Sequence, residues 1–151
     1  MIQKVTAQDV LPLRVKILRP QGSVTECIFV GDNEESTLHL TCLAAGALIG
    51  IGSVIQESEN GELGQNIWRI RGMAVDPSYR GRGIGAQILD SLIKYVELNQ
   101  GQKIWCNART PAIGLYKKFG FHTHGEEFEL PEIGPHYRML RSGENEQKFK
   151  K

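Results

Sequence analysis

The stretch from Ile67 to Gln100 constrains the chain more than any other. Ile67 to Val75 reads as a strand, ended by Asp76-Pro77-Ser78-Tyr79. Arg80-Gly81-Arg82-Gly83-Ile84-Gly85 follows and leads into a helix predicted over Gly83 to Gln100. Ile84, Ile88, Leu89, Leu92, Ile93 and Val96 make one apolar stripe along it, and Gly101 stands where a helix-closing glycine belongs. Glycines let backbone approach a ligand closely and adopt positive φ. The N–H groups of a helix's first turn have no partner within the helix and carry the positive end of its dipole. Strand, glycine loop and helix together make an anion site, and phosphate is the usual occupant. Arg80 and Arg82 add positive charge without a metal.

The remaining elements fall around this unit. Val5 and its neighbours predict a short first strand. A capping box at Thr6 and Asp9 opens a helix carrying Val10, Leu11, Val15 and Leu18, which Pro20 stops. Gln21 to Thr37 predicts irregular structure with a turn at Gly31-Asp32-Asn33. Leu38 to Leu43 and Ala47 to Gln56 form a hairpin about Ala45-Gly46, and Asn60-Gly61 marks a polar loop. Lys103 to Ala108 is a strand, and Thr110 to Phe119 a short helix closed by Gly120. Phe121 to Leu130 and His136 to Leu140 are two closing strands. This order predicts an α/β (α+β) mixed, mostly antiparallel central sheet of about six to seven strands with helices on both faces. One domain is expected over 1–141, with a polar, flexible tail over 142–151.

Composition excludes several classes. At 151 residues, with 40% hydrophobic and 23% charged residues, the chain is an ordinary globular sequence. A formal charge of +1 gives no basic surplus for nucleic acid. No apolar run approaches the ~18 residues of a membrane-spanning helix, and no signal-peptide pattern opens the sequence. Three scattered cysteines, Cys27, Cys42 and Cys106, argue for a reducing compartment, so a cytoplasmic location is expected. His39, His122 and His124 have no partner at metal-ligand spacing, and no metal is expected.

Three phosphate-loop patterns compete for Arg80 to Gly85. A Walker A loop needs G-x-x-x-x-G-K-S/T, which is absent. Gly81, Gly83 and Ala86 formally match G-x-G-x-x-G/A, but Asp76 to Tyr79 separate them from the strand, and Lys103 to Ala108 carries no acidic residue for a ribose. The third is R/Q-x-x-G-x-G/A after a strand ending V-x-P. Arg80, Gly83 and Gly85 fill it after Val75 and Pro77, and it resembles the pyrophosphate motif of the GNAT acyltransferase superfamily. A second stretch, Asn107 to Phe121, resembles that family's N-x-x-A-x-x-L-Y-x-K-x-G-F, with Asn107, Ala112, Leu115, Tyr116, Lys118, Gly120 and Phe121 in place and an extra residue or two before Ala112. Gly125 to His136 is similar to the closing hairpin of a small bacterial ElaA-like group.

The resemblance implies an N-acetyltransferase that moves the acetyl group of acetyl-CoA to a primary amine, by direct attack through a tetrahedral intermediate. It places acetyl-CoA against Met73, Ala74, Val75, Arg80, Gly81, Arg82, Gly83, Ile84, Gly85, Asn107, Tyr116 and Lys118. Backbone N–H groups of Met73 to Val75 would be oxyanion donors, fixed before charge develops. Tyr116 would serve the leaving thiolate. With Tyr at pKa ~10 and a thiol at ~8.5, full proton transfer is uphill, which favours a hydrogen bond with late transfer. An amine of pKa ~10.4 is almost wholly protonated at neutral pH, so a base is expected. Glu57, Glu126, Glu127 and His136 are candidates, and the hairpin similarity selects Glu127 and His136. The acceptor is a small-molecule or peptide amine, and assembly stays open between monomer and homodimer. The alternative is a non-catalytic acyl-CoA sensor of the same fold. By residue type, Leu115 and Phe119 are expected to face the core, with Tyr116 at its edge.

Overall fold

The computed structural model describes residues 1–142. Of the tail expected over 142–151, Ser142 ends the last strand, and the rest lies outside the described residues. The chain forms two compact units. The first takes in 1–55 and 70–92; the second takes in 56–69 and the chain from Ile93 onward.

The first unit begins with β1 (Ile2–Val5), which pairs antiparallel with β2 (Leu38–Ala44). Between them, α1 (Ala7–Leu13) starts on the expected box: Thr6 Oγ1 accepts from the Asp9 N–H at 3.2 Å, and the Asp9 carboxylate accepts from the Thr6 N–H at 2.9 Å. Beyond Leu13 the helix widens into a π-helical turn, Arg14–Leu18. A 3-10 turn, Val24–Cys27, sits in the segment expected to be irregular. β2 and β3 (Ala47–Ile55) make the expected hairpin, with Ala45 and Gly46 at φ 50° and 80° as its tight turn. The strand order ends on the Ile70–Val75 part of β4 (Ile67–Val75). Val10, Leu13, Ile51 and Ala74 form an apolar cluster in this unit.

Helix α2 (Ile84–Leu98) contributes Ile84–Leu92 here. Gly50 and Gly52 of β3 let it come close. A Cβ on Gly50 would stand 2.7 Å from Ile84 Cγ2, and one on Gly52 would overlap Met73 Sδ and Ile88. The start of α2 is thereby seated close on β3, at two positions where any side chain would force its neighbours to shift.

In the second unit, the Ile67–Arg69 part of β4 pairs parallel with β5 (Lys103–Arg109). β5 pairs antiparallel with β8 (Gly134–Ser142). The expected strand over Phe121–Leu130 is instead two short strands, β6 (His122–Thr123) and β7 (Phe128–Leu130), both on β8. Gly125, at φ 83°, lies between them, and the strands among the described residues number eight. A 3-10 turn (Thr110–Ala112) and α3 (Ile113–Lys118) follow β5. Trp68, Ile104, Phe121 and Met139 are fully buried, and Tyr95 meets Trp68 edge-on at 5.8 Å. Of the pairings with a defined register, only β4–β5 is parallel. The fold class is the mixed, mostly antiparallel α/β arrangement expected.

Candidate functional site

Each unit carries one set of the expected residues. In the first, Gly72 breaks β4 with φ 69°. A Cβ there would stand 3.1 Å from Arg14 Nε and 3.2 Å from Phe29, so both the backbone and the space demand glycine. Met73, Ala74 and Val75 follow this break. The Val75 carbonyl accepts from Arg80 Nε at 3.3 Å, and the Asp76 N–H donates to the Ile49 carbonyl at 2.8 Å. Asp76 caps the 3-10 turn Pro77–Tyr79 by accepting from the Ser78 N–H, and Lys16 Nζ donates to it at 3.0 Å. The Ser78 backbone and Lys16 hold its carboxyl below the usual range.

Gly81 and Gly83 take φ 79° and 77°, values that L side chains rarely adopt. A Cβ on either would meet no described atom within 4 Å, so backbone conformation rather than crowding selects glycine. The first hydrogen bond of α2 runs from the Gln87 N–H to the Gly83 carbonyl at 3.1 Å. The N–H groups of Gly83 to Ala86 therefore have no partner inside the helix. Ile84 is buried, while Arg80, Gly81, Arg82 and Gly83 are exposed, with the Arg82 guanidinium 5.0 Å from the Tyr79 ring centre. Exposed backbone donors, a helix dipole and two arginines are what a diphosphate requires, and these residues fit it.

The second unit holds Asn107, Tyr116, Lys118, Glu127 and His136. Tyr116 corrects the packing expectation. It is 6% exposed, whereas Leu115 and Phe119 are only half-buried. Its ring meets Phe121 edge-on at 5.5 Å, and the Phe121 N–H donates to its carbonyl at 3.1 Å. Gly120, at φ 87°, makes that return possible, as expected for a helix stop. Burial pushes the Tyr116 hydroxyl well above its ordinary pKa, with Cys106 adding to the shift. Burial likewise raises the Cys106 thiol to about 12, which fits a packed side chain and not a nucleophile. Lys118 is exposed at the end of α3.

Glu127 is exposed and accepts from Thr110 Oγ1 at 2.7 Å. His136 is 4% exposed, stacked on Phe128 at 5.9 Å, with Nδ1 2.8 Å from the Gly134 carbonyl. A carbonyl only accepts, so Nδ1 carries a proton and Nε2 is the nitrogen whose lone pair a base would use. Of the other base candidates, Glu57 is buried, with Arg69 Nη1 3.5 Å from its carboxylate, and Glu126 is exposed.

The sequence reading missed a polar cluster in this unit. The Trp105 ring has two guanidiniums near it, Arg69 at 4.5 Å and Arg138 at 4.4 Å, and its Nε1 donates to the Glu57 carbonyl at 2.8 Å. Glu59 accepts from Lys103 Nζ at 2.8 Å and from Arg138 Nη1 at 2.7 Å. Burial opposes ionisation of Glu59, but the hydrogen bonds from Lys103 and Arg138 outweigh it and lower its pKa. Arg69 in an apolar strand was a visible signal. The reach of Arg138 to Asn107 was not.

Residues 12–121 match the acetyltransferase (GNAT) family. An uncharacterised N-acetyltransferase of Bacillus subtilis, YitI, is 32% identical over 144 residues, which is 93% of this chain and 97% of that protein. Escherichia coli ElaA superposes with a TM-score of 0.76 at 17% identity, covering 94% of this chain and 99% of ElaA. An acyl-CoA N-acyltransferase of Pseudomonas aeruginosa gives 0.73 at 19% identity, covering 94% and 99%. The family match spans the glycine loop and Tyr116 alike, and a relative above 30% identity runs nearly the whole length. The chain is thus a member of the GNAT acetyltransferase family, and an acyltransferase.

Proposed function

We propose that the protein transfers acetyl from acetyl-CoA to a primary amine. The observation that carries this is the loop at Gly81 and Gly83, both at positive φ, opening onto unobstructed space at the first turn of α2. That geometry suits the diphosphate of a CoA thioester, with Arg80 and Arg82 supplying charge. CoA would supply the activated thioester.

The chain's own residues would do the rest. Backbone N–H groups of Met73, Ala74 and Val75 would hold the carbonyl oxygen as charge develops there. Tyr116, kept neutral by its burial, would donate a hydrogen bond to the departing sulfur. His136 Nε2, or Glu127, would take the proton that the attacking amine loses. Asn107 and Lys118 complete the residues proposed to contact the cofactor. The chain over 1–141 is proposed to act as one functional domain.

Thiol release from acetyl-CoA, followed across polyamines, amino acids, aminosugars, aminoglycosides and peptides, checks this reading. Wild type should turn over one amine class. Gly83→Asp should abolish turnover, and Tyr116→Phe should lower kcat about ten- to a hundredfold. Tight acetyl-CoA binding with no turnover on any amine would favour a sensor instead.

A further inference from the structure

Two guanidiniums meet one ring beside the break in β4. Arg71 Cζ lies 3.8 Å from the Phe29 ring centre, and Arg14 Cζ lies 4.0 Å from it. A fixed turn brings the ring to this place. The Phe29 N–H donates to Asp32 Oδ2 at 2.9 Å, and the Asp32 N–H donates to the Phe29 carbonyl at 3.0 Å. Arg14 clamps the Asp32 carboxylate at 2.8 and 3.1 Å. Gly72 admits the ring, since a Cβ there would stand 3.2 Å from it. All these residues belong to the first unit.

The two arginines differ in what they can reach. Arg14 is fully buried, and its terminal nitrogens donate to Asp32, Cys27 and Ser53. Arg71 is half-exposed, at a place a ligand can approach. A guanidinium laid on a ring has five N–H donors, more than one neighbour uses, and the ring restrains the plane in which they point. A planar fork held in this way suits a carboxylate or a phosphate, which it takes with two parallel hydrogen bonds. Arg71 also stands two residues before Met73, the first of the proposed holders of the acyl carbonyl. Two extended residues span at most about 7 Å, so one small molecule can meet both.

We propose that Arg71, held on the Phe29 ring, binds an oxyanion carried by the acceptor, so that the acceptor is a small amine bearing a carboxylate or a phosphate and not a polyamine or an aminoglycoside. The proposal rests on the acetyl-transfer reading above and gives its acceptor a chemical class. A positive charge beside the reacting carbonyl attracts an anionic amine and repels a polycation. Phe29 is a positioning residue for the guanidinium.

Thiol release from acetyl-CoA on matched amines tests this. The pairs are α-amino acids and β-alanine with their carboxamides, and ethanolamine and glucosamine with their phosphate esters. Wild type should prefer the anionic member of its best pair at least about tenfold in kcat/KM, the worth of a charge-assisted hydrogen bond. Arg71→Met should erase that preference by raising KM for the anionic member, with kcat within about twofold. Arg71→Lys should keep part of the preference, and Phe29→Leu should reduce it. Calorimetric affinity for acetyl-CoA should stay at the wild-type level in all three. Variants that weaken both members of a pair alike overturn the proposal, since that marks a general structural loss. A wild type that acetylates the uncharged member as well as the anionic one overturns it too. So does a wild type that binds acetyl-CoA yet acetylates no anionic amine, and in these cases the acyl-CoA reading stands. Absence of acetyl-CoA binding by wild type overturns both.

Discussion

Arg14 is fully buried, and its bonding explains how the segment between α1 and β2, with only one short 3-10 turn of its own, is held. Nη1 donates to the Cys27 carbonyl at 2.9 Å and to Asp32 at 2.8 Å; Nη2 donates to Asp32 at 3.1 Å and to Ser53 Oγ at 3.0 Å. Ser53 Oγ lies 2.6 Å from His39 Nδ1, and His39 Nε2 lies 2.9 Å from the Asp32 carbonyl. The Asp32 carbonyl only accepts, which fixes one end of the His39 ring as a donor. His39 Nε2–H donates to that carbonyl, Arg14 donates to Ser53, and with the ring neutral Ser53 donates to Nδ1. Arg14→Met should cost about 3–5 kcal/mol in denaturant unfolding, because it strands the buried Asp32 carboxylate. Burial lowers the His39 pKa, against the opposing effect of its bond to the Asp32 carbonyl. The native state therefore resists a proton that the unfolded chain accepts near pH ~6.5. Stability is full above that pH and is lost as pH falls below it toward the lower native value. Unfolding free energies of wild type should fall more steeply from pH 7 to 5 than those of His39→Gln; equal slopes would refute the assignment.

Helix α2 shows what a sequence pattern conveys and what it hides. Its apolar stripe is legible, and Ile88, Leu89, Leu92 and Val96 are indeed fully buried. The stop is not as it reads. Gln100, at φ 58°, takes the left-handed position, and Gly101 donates to the Val96 carbonyl at 2.9 Å. Gly101 is needed for room, since a Cβ would overlap Val96 and stand 2.9 Å from Trp68. Pattern alone could not distinguish a glycine chosen for φ from one chosen for space. Gly101→Ala should therefore destabilise by about 1–3 kcal/mol through overpacking, whereas Gln100→Gly should be neutral or raise the thermal midpoint. A stabilising Gly101→Ala would contradict this placement. The split of the closing strand into β6 and β7 was equally hidden, because Gly125-Glu126-Glu127 reads as part of a polar strand until β8 supplies the register.

At the scale of the molecule, the residues proposed to carry the chemistry were more legible than the polar supports around them. The glycine loop announced itself by glycines with no packing value, and Tyr116 by a motif that spans α3. Arg14, Asp32, Glu59 and Arg138 did not, because each acts through partners 13 to 79 positions away in sequence. Long-range polar pairs leave no periodic trace. The proposed cosubstrate site makes one demand of the whole chain: the backbone at Gly81 and Gly83 must remain both left-handed and unobstructed. The most direct measurement is calorimetric titration of acetyl-CoA into wild type and Gly83→Asp, with thermal melts of both alongside. Wild type should bind, and the variant should melt within a few degrees of it yet show at least a hundredfold weaker affinity, since a carboxylate would then point into an anion site. Equal affinity in a folded Gly83→Asp would contradict the placement of the diphosphate at this loop.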